Sequence, residues 1–529
     1  MKKLSSNNTD CILSITGAYL EKDKLDLSLK ITCPYNEKAL SPKIRLLFRQ
    51  GEKTRRLPII IDKKTADNGI CTICASYRYF ITELFFDSNR EDISLKFSFS
   101  YADYEVDDFV ITSAENVDSS KITVHSDEII IHSNPSIWKA KHHKQYKSIS
   151  SLAKNCFAVF IRIIYSVICR KNPIVQNRIS FMSCRRDTLG GNMLNVYDLI
   201  KDNPDIDFQF LLYSDANGHY KPQYLKRFLQ LYATSRVVIV DDYFRMLNIV
   251  PKRRGVTLFQ LWHACGAFKT FGFTRLGKEG GPQQVTVNHR MYDYAIVSSS
   301  KIAKHYAEGF GLSDEKIIAT GIPRTDVFAD ENYAAEIKER LYSKYPALMN
   351  KKVLLFAPTF RGNGQMSAYY PLDALDIQKL YDDLGGEYAI IIKLHPFCKE
   401  RYKVDEKYKD CIFDFSDKDE LNDLLFITDL LITDYSSVVF EASLLDIPML
   451  FYSFDLVDYV MDRDFYYEYE YFVPGKIVCN QNELTKSIIN SDFDYNKVDN
   501  FKNLFFDNFD GNSTNRVADK ILSVLKGEI

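Results

Sequence analysis

Two histidines follow directly on runs that read as buried strands. Leu258–Trp262 leads into His263-Ala264-Cys265-Gly266-Ala267-Phe268-Lys269, and Ala389–Leu394, which carries Lys393, leads into His395-Pro396. Imidazole changes charge near neutral pH, so a histidine held beside a ligand can take a proton from an alcohol or steady a phosphate. One such histidine is more often structural; two, each at its own strand end, favour chemistry. Gly266 lets backbone approach a ligand closely, which makes it and the nearby Lys269 candidates for a ligand-contacting loop.

The segment after Leu430–Thr433 also suggests phosphate chemistry. Asp434-Tyr435-Ser436-Ser437 opens a helix-like run through Glu441, and a helix start offers unpaired N–H groups and the positive end of its dipole. Ordinary serine capping gives the same pattern. Gly321-Ile322-Pro323-Arg324 and Ala357-Pro358-Thr359-Phe360-Arg361-Gly362 each carry an arginine into a loop after a strand. Guanidinium is a planar fork of donors suited to phosphate oxygens. No GxxxxGKS/T, GxGxxG or HExxH motif is present, which argues against a P-loop ATPase, a dinucleotide dehydrogenase and a zincin. No Asp/His cluster demands a metal, while a loosely held divalent cation stays compatible with these residues.

Such residues need rigid strand ends, and the pattern after residue 178 supplies them. Apolar runs Ile179–Ser183, Phe208–Tyr213, Val237–Val240, Leu258–Trp262 and Tyr294–Ser298 precede a second series, Val353–Ala357, Ala389–Leu394, Leu430–Thr433 and Met449–Tyr452. Helix-like segments lie between them: Lys301–Glu308, Ala335–Lys344, Asp376–Leu384, Ser436–Leu445 and Thr514–Leu525. Apolar strands alternating with helices predict parallel sheets covered on both faces. About 350 residues are too many for one such sheet, and the series restarts near Lys351. The expected fold class is therefore α/β, with two doubly wound Rossmann-like domains at 178–345 and 346–529. Ligands in such folds sit beyond the carboxyl ends of the strands.

Residues 1–135 read differently. Short runs such as Leu25–Ile31, Ile44–Phe48 and Ile93–Phe99 between polar segments predict a small all-β accessory domain, a sandwich or barrel. Residues 136–177 form a basic linker: between Ile129 and Arg186 there is no Asp or Glu but eleven Lys or Arg. Within it Leu152–Cys169 predicts an apolar helix bearing Phe157, Phe160, Ile163, Ile164 and Tyr165. An acid-free basic helix suits an anionic membrane surface; a helix packed between domains, its lysines solvated, is the plainer alternative. Cys156–Cys169 is too short an apolar run to span a bilayer, and Met1–Cys11 lacks the apolar core of a secretory signal.

Across its 529 residues, 68 Lys and Arg oppose 70 Asp and Glu, so no polycation awaits nucleic acid. A 46% hydrophobic content excludes a mostly disordered chain. Eleven scattered cysteines predict thiols in a reducing compartment rather than a disulfide framework, with Cys71 and Cys74 explained by a core strand.

In order along the chain, Trp262-His263, Tyr292-Asp293-Tyr294 with Ser298-Ser299, Gly321–Asp326, Ala357–Arg361, Lys393–Pro396 and Thr433–Ser437 with Phe440-Glu441 are followed by Pro448, Tyr466–Tyr471 and Phe509–Ser513. Together these segments resemble the CDP-glycerol glycerophosphotransferase family, the teichoic-acid polymerases and primases. The resemblance runs over roughly residues 178–529. It implies a GT-B-like fold, with residues 178–345 on the acceptor side, 346–529 on the CDP-donor side, and the active site between them. It implies transfer of glycerol phosphate or ribitol phosphate from a CDP-polyol donor to a hydroxyl of a lipid-linked teichoic-acid-like or capsular polymer. CMP would be released, on the cytoplasmic side of the cell membrane. His263 and His395 match the essential pair, and Asp434, Ser436, Ser437 and Glu441 the donor-binding segment, joined by Arg324, Arg361 and Lys393. His263 is expected to be the base and His395 to stabilise charge on phosphate, with the reverse assignment open. One departure leaves the acceptor and the polyol open: the family often has Gly-Thr-Pro-Leu-Lys after Trp-His, where this chain has Ala264–Lys269. A GT-B glycosyltransferase using a nucleotide sugar for cell-surface polysaccharide is the competing expectation, and a noncatalytic polymer- or membrane-binding protein is a third.

Overall fold

The computed structural model describes the chain except for residues 1, 4–10, 22–23, 37–38, 40, 51–52, 81–91, 102–103, 107–108, 133–148, 215–220, 279–280, 284–288, 363–364 and 529. Lys139, Lys141, Lys144 and Lys147 of the basic linker lie outside the described residues. The chain forms two compact units, Met1–His263 with Lys269–Thr320 and Asn515–Ile529, and Ala264–Phe268 with Gly321–Thr514.

The first unit begins with the expected all-β domain, a sandwich of a seven-stranded and a five-stranded sheet. Period-two alternation decides which face is buried. Along Lys24–Pro34 the residues Leu25, Leu27, Leu29, Ile31 and Cys33 all point into the core. The Cys71–Cys74 pair lies in the strand Ile70–Phe80, and every described cysteine is a free thiol.

The same unit then builds a six-stranded, all-parallel sheet in the order 207–212, 175–183, 235–240, 257–260, 294–296, 317–318. Numbered along the chain this is 2-1-3-4-5-6, so the topological switch point lies between Val175–Ser183 and Ser235–Val240. The final helix, Ser513–Lys526, falls almost wholly in this unit rather than with the second Rossmann-like domain as expected. Arg516 Nε donates to the Thr320 carbonyl, Arg236 Nη2 to the Val524 carbonyl, and Lys520 lies over the Tyr294 ring. Residues 321–345 correspondingly fall in the second unit.

The linker helix is longer than expected, Ile149–Lys171. Ile161 and Tyr165 are buried, Tyr165 stacks on Tyr232, and Arg162 Nε donates to the Ile249 carbonyl. Phe157, Phe160, Ile163 and Val167 remain exposed on another side. No described helix is long and apolar enough to cross a membrane.

A buried ion pair joins the sandwich to the parallel sheet's cover. Arg45 Nε donates to Glu308 Oε2 at 2.6 Å, both side chains within 9% exposure. Arg56–Asp314 and Lys304–Glu105 pairs flank it.

The second unit is another six-stranded parallel sheet, ordered 412–414, 388–392, 352–356, 430–433, 449–452, 476–478. Along the chain this reads 3-2-1-4-5-6, the doubly wound order whose ligand crevice opens between the first and fourth strands. Lys352–Phe356 and Leu430–Thr433 therefore deliver Ala357–Arg361 and Asp434–Ser437 to that switch point.

Removing one partner of a buried ion pair strands the other charge. Arg45→Ala should cost about 3–5 kcal/mol, whereas Arg45→Met with Glu308→Met should cost much less. Urea unfolding followed by far-ultraviolet circular dichroism reads the difference, and equal losses would contradict this account of the clamp.

Candidate functional site

In the first unit the chain leaves Thr257–Gln260 through a strained turn. Trp262 has φ +49, a left-handed conformation that is an outlier for a bulky side chain. Three hydrogen bonds hold it: Trp262 N donates to Gln260 Oε1 (2.8 Å), and Asn192 Nδ2 donates to the carbonyls of Leu261 (2.9 Å) and Trp262 (3.0 Å). The Trp262 ring packs against Phe271 and Phe310. Strain of this kind persists only where surroundings over-determine it, and it clusters at functional sites.

The turn presents His263, whose side chain is 31% exposed, with Nδ1 3.5 Å from Asp242 Oδ2. Asp242 and Asp241 stand at the end of Ser235–Val240, on the switch point. Arg185 Nη1 lies 3.9 Å from Asp242 and Arg186 Nε 3.7 Å from Asp241. Burial raises the Asp241 carboxyl above the usual carboxylate range. His289 packs on Trp262, its Nδ1 3.0 Å from Tyr292 Oη; burial pulls its pKa down to about 4, so it is neutral at pH 7.

The second unit holds a cavity of about 590 Å³ at the carboxyl ends of its strands, lined by His395, Lys393, Ser436, Pro358, Arg340 and the segment Ser416–Leu421. His395 is clamped between Phe360 and Phe397, and the Phe397 N–H donates to its Nδ1 at 3.2 Å. With that lone pair engaged, neutral His395 carries its hydrogen on Nε2 and acts as a donor. Ser436 lies on the lining and Ser437 is exposed beside it; Ser436 Oγ accepts from Val438 N at 3.4 Å.

Other expected donor residues sit deeper. Arg361 is 7% exposed and boxed by Tyr435 and Tyr459. Its nitrogens donate to Asp455 (2.6 and 2.9 Å), Asp434 (2.9 Å) and the Thr359 carbonyl (2.6 Å). Burial is the largest influence on this guanidinium and opposes its charge, yet the two aspartates outweigh it and hold its pKa above the ordinary value. Asp434 also accepts from Thr359 N and Tyr435 N, so both residues fix the loops that carry Pro358 and Ser436. Arg324 is paired with the buried Glu441. Lys393 Nζ donates to the carbonyls of Phe415, Lys418 and Asp419, at 2.8, 2.7 and 2.6 Å, and so ties down the cavity wall.

Gly266 lies in the second unit with φ +64, and a Cβ there would stand 2.1 Å from the Phe440 ring; only glycine fits. Lys269 is half-buried in the first unit. Among the described residues no group of three or more His, Cys, Asp or Glu is arranged to hold a metal ion.

Residues 163–523 match the family model of the CDP-glycerol:poly(glycerophosphate) glycerophosphotransferases. The chain belongs to that family. It is 46% identical over 356 residues to the teichoic acid poly(ribitol-phosphate) polymerase of Bacillus spizizenii, covering 67% of this chain and 58% of that protein. It is 39% identical over 384 residues to the ribitol-phosphate polymerase TarK of Staphylococcus aureus, covering 72% and 73%. The chain thus spans less than two thirds of the first relative's length. A solved structure of the wall teichoic acid polymerase TagF superposes with a TM-score of 0.59 over 73% of this chain and 99% of that one, at 21% identity, which speaks for the fold. The sandwich lies outside the glycerophosphotransferase match.

Sequence reasoning passed over Asp242, Asn192 and the Ser416–Leu421 wall. Asp242 had a usable signal, because it lies just beyond the recognised strand Val237–Val240.

Lys393→Met removes a charge that satisfies three carbonyls. Amide hydrogen exchange in residues 415–421 should accelerate at least tenfold, about 1.4 kcal/mol of lost protection or more. Unchanged exchange would mean the wall is held by other contacts.

Proposed function

We propose that this chain transfers ribitol phosphate from a CDP-linked donor to a hydroxyl of a lipid-linked, teichoic-acid-like polymer, releasing CMP. The observation that carries the reading is His395: its Nδ1 is engaged by backbone, which leaves Nε2–H as a donor on the wall of a strand-end cavity. Ribitol is favoured over glycerol by the relatives, since the matches at 46%, 39% and 41% are named ribitol-phosphate polymerases and a glycerol-phosphate primase matches at 32%.

In the proposed reaction His263 takes the proton of the acceptor hydroxyl as its oxygen bonds to the phosphorus bearing the polyol. The bond from that phosphorus to the bridging oxygen breaks, and the oxygen leaves with its electron pair as part of CMP. His395 Nε2–H and the Ser436 hydroxyl offset charge on the phosphates, where positioning and charge stabilisation carry most of the catalysis. Arg361, Asp434 and Lys393 act by holding the loops, and the Arg324–Glu441 pair fixes the helix after Ser437. Gly266 serves as the loop's close-packed point, and Lys269 remains a candidate for acceptor phosphate.

His263→Ala and His395→Ala should each lower turnover by about 10²-fold or more without unfolding the protein. The deciding assay offers CDP-ribitol, CDP-glycerol and UDP-sugars with a lipid-linked acceptor. CMP from CDP-ribitol supports the proposal; UDP from a UDP-sugar with no CMP would overturn it in favour of a glycosyltransferase.

A cytosolic donor and a lipid-linked acceptor meet at the cytoplasmic membrane face, and the exposed Phe157, Phe160, Ile163 and Val167 stripe beside basic residues suits that surface. Phe160→Asp with Ile163→Asp should sharply reduce cosedimentation with anionic vesicles at low salt, while activity on a short soluble acceptor persists. Wild-type protein that ignores such vesicles would refute the membrane assignment.

A further inference from the structure

We infer that Asp242 is a positioning residue for His263: its carboxylate holds the Nδ1–H of the imidazole and so turns the Nε2 lone pair toward the acceptor hydroxyl. The role as base rests on the function proposed above; the Asp242–His263 pairing rests on geometry alone.

Four observations converge on Asp242. It is the second residue beyond Ser235–Val240, at the switch point of the first parallel sheet, where doubly wound folds gather ligands. Its Oδ2 is 3.5 Å from His263 Nδ1, and contacts of this kind are often long without substrate and shorten in the reacting complex. Its own backbone is fixed from the neighbouring strand, because Gln260 Nε2 donates to the Asp242 carbonyl at 3.0 Å while Gln260 Oε1 holds Trp262 N. One buried glutamine therefore sets both ends of the pair. Finally, the Asp242 Oδ1 atom accepts from Tyr243 N at 2.6 Å, which orients the carboxylate.

The groups facing the carboxylate are mixed in sign and type. Arg185 lies 3.9 Å away and Arg186 beside the adjacent Asp241. His289 and Tyr292 feel its charge from the next segment, and Tyr243 follows it in the chain. His289 is neutral at pH 7 and Tyr292 stays protonated through burial. Asp241 and the two arginines keep their place when Asp242 is changed to its amide, so loss of the carboxylate leaves His263 facing more positive charge than before. Imidazolium is then less favoured, and His263 deprotonates at lower pH.

The test is Asp242→Asn in the full chain, read two ways. The His263 ring proton, assigned by its disappearance in His263→Ala, should titrate at lower pH in the variant than in wild type. With CDP-ribitol and acceptor, kcat should fall by up to about 10²-fold, the scale of a mispositioned reacting group, and the acid limb of the pH–rate profile should move to lower pH. Asp242→Glu should recover part of the rate. Adding Asp242→Asn to His263→Ala should cost nothing further, since the two act as one unit. An unmoved His263 titration in Asp242→Asn overturns the inference, and the same titration in Asp242→Glu decides it if the amide variant does not fold. Absence of any turnover by wild type refutes the proposed function but leaves the titration to judge the pair.

Discussion

An imidazole has two ring nitrogens, and the partner taken by one fixes what the other can do. That constraint organises both strand-end sites. His263 has a carboxylate opposite Nδ1, which favours hydrogen there and leaves a lone pair on Nε2. His395 has a backbone N–H donating to Nδ1, which leaves hydrogen on Nε2. The same side chain is thereby set as an acceptor in one unit and as a donor in the other. The proposed transfer would use one of each, the acceptor to take the alcohol proton and the donor to offset phosphate charge.

Holding these states demands rigid surroundings, and buried polar networks supply them. Gln260 and Asn192 stabilise the left-handed Trp262 turn that delivers His263. In the second unit, Arg361 between Asp434 and Asp455 fixes two switch-point loops, and Lys393 gathers three carbonyls of the cavity wall. A buried charge left unpaired costs several kcal/mol, so each network has one satisfied arrangement and strongly resists sliding. The sandwich is tied to the first parallel sheet by the same device, Arg45 with Glu308.

Much of this was legible because buried parallel strands are short unbroken apolar runs. Leu430–Thr433 and Met449–Tyr452 have the expected bounds. Ile317–Ile318, Ile412–Asp414 and Lys476–Val478 were missed, being too short for any periodicity. Arg361 was expected to face phosphate, and what turns it inward, Asp455, stands 94 positions later, beyond any local pattern. Gly266 was expected to let a ligand approach, and the structure gives that space to Phe440. The final helix joined the other unit because Thr320, Tyr294 and Arg236 meet it, contacts among segments hundreds of residues apart. The histidines themselves were visible, since position at a strand end is local. Their opposite hydrogen-bonding states were not.

The most direct measurement is nitrogen-15 NMR of the imidazoles at a pH above both titrations, with His263 and His395 assigned by single substitution. The predicted result is Nδ1–H for His263 and Nε2–H for His395. The reverse pair, or the same tautomer at both positions, would contradict the division of roles.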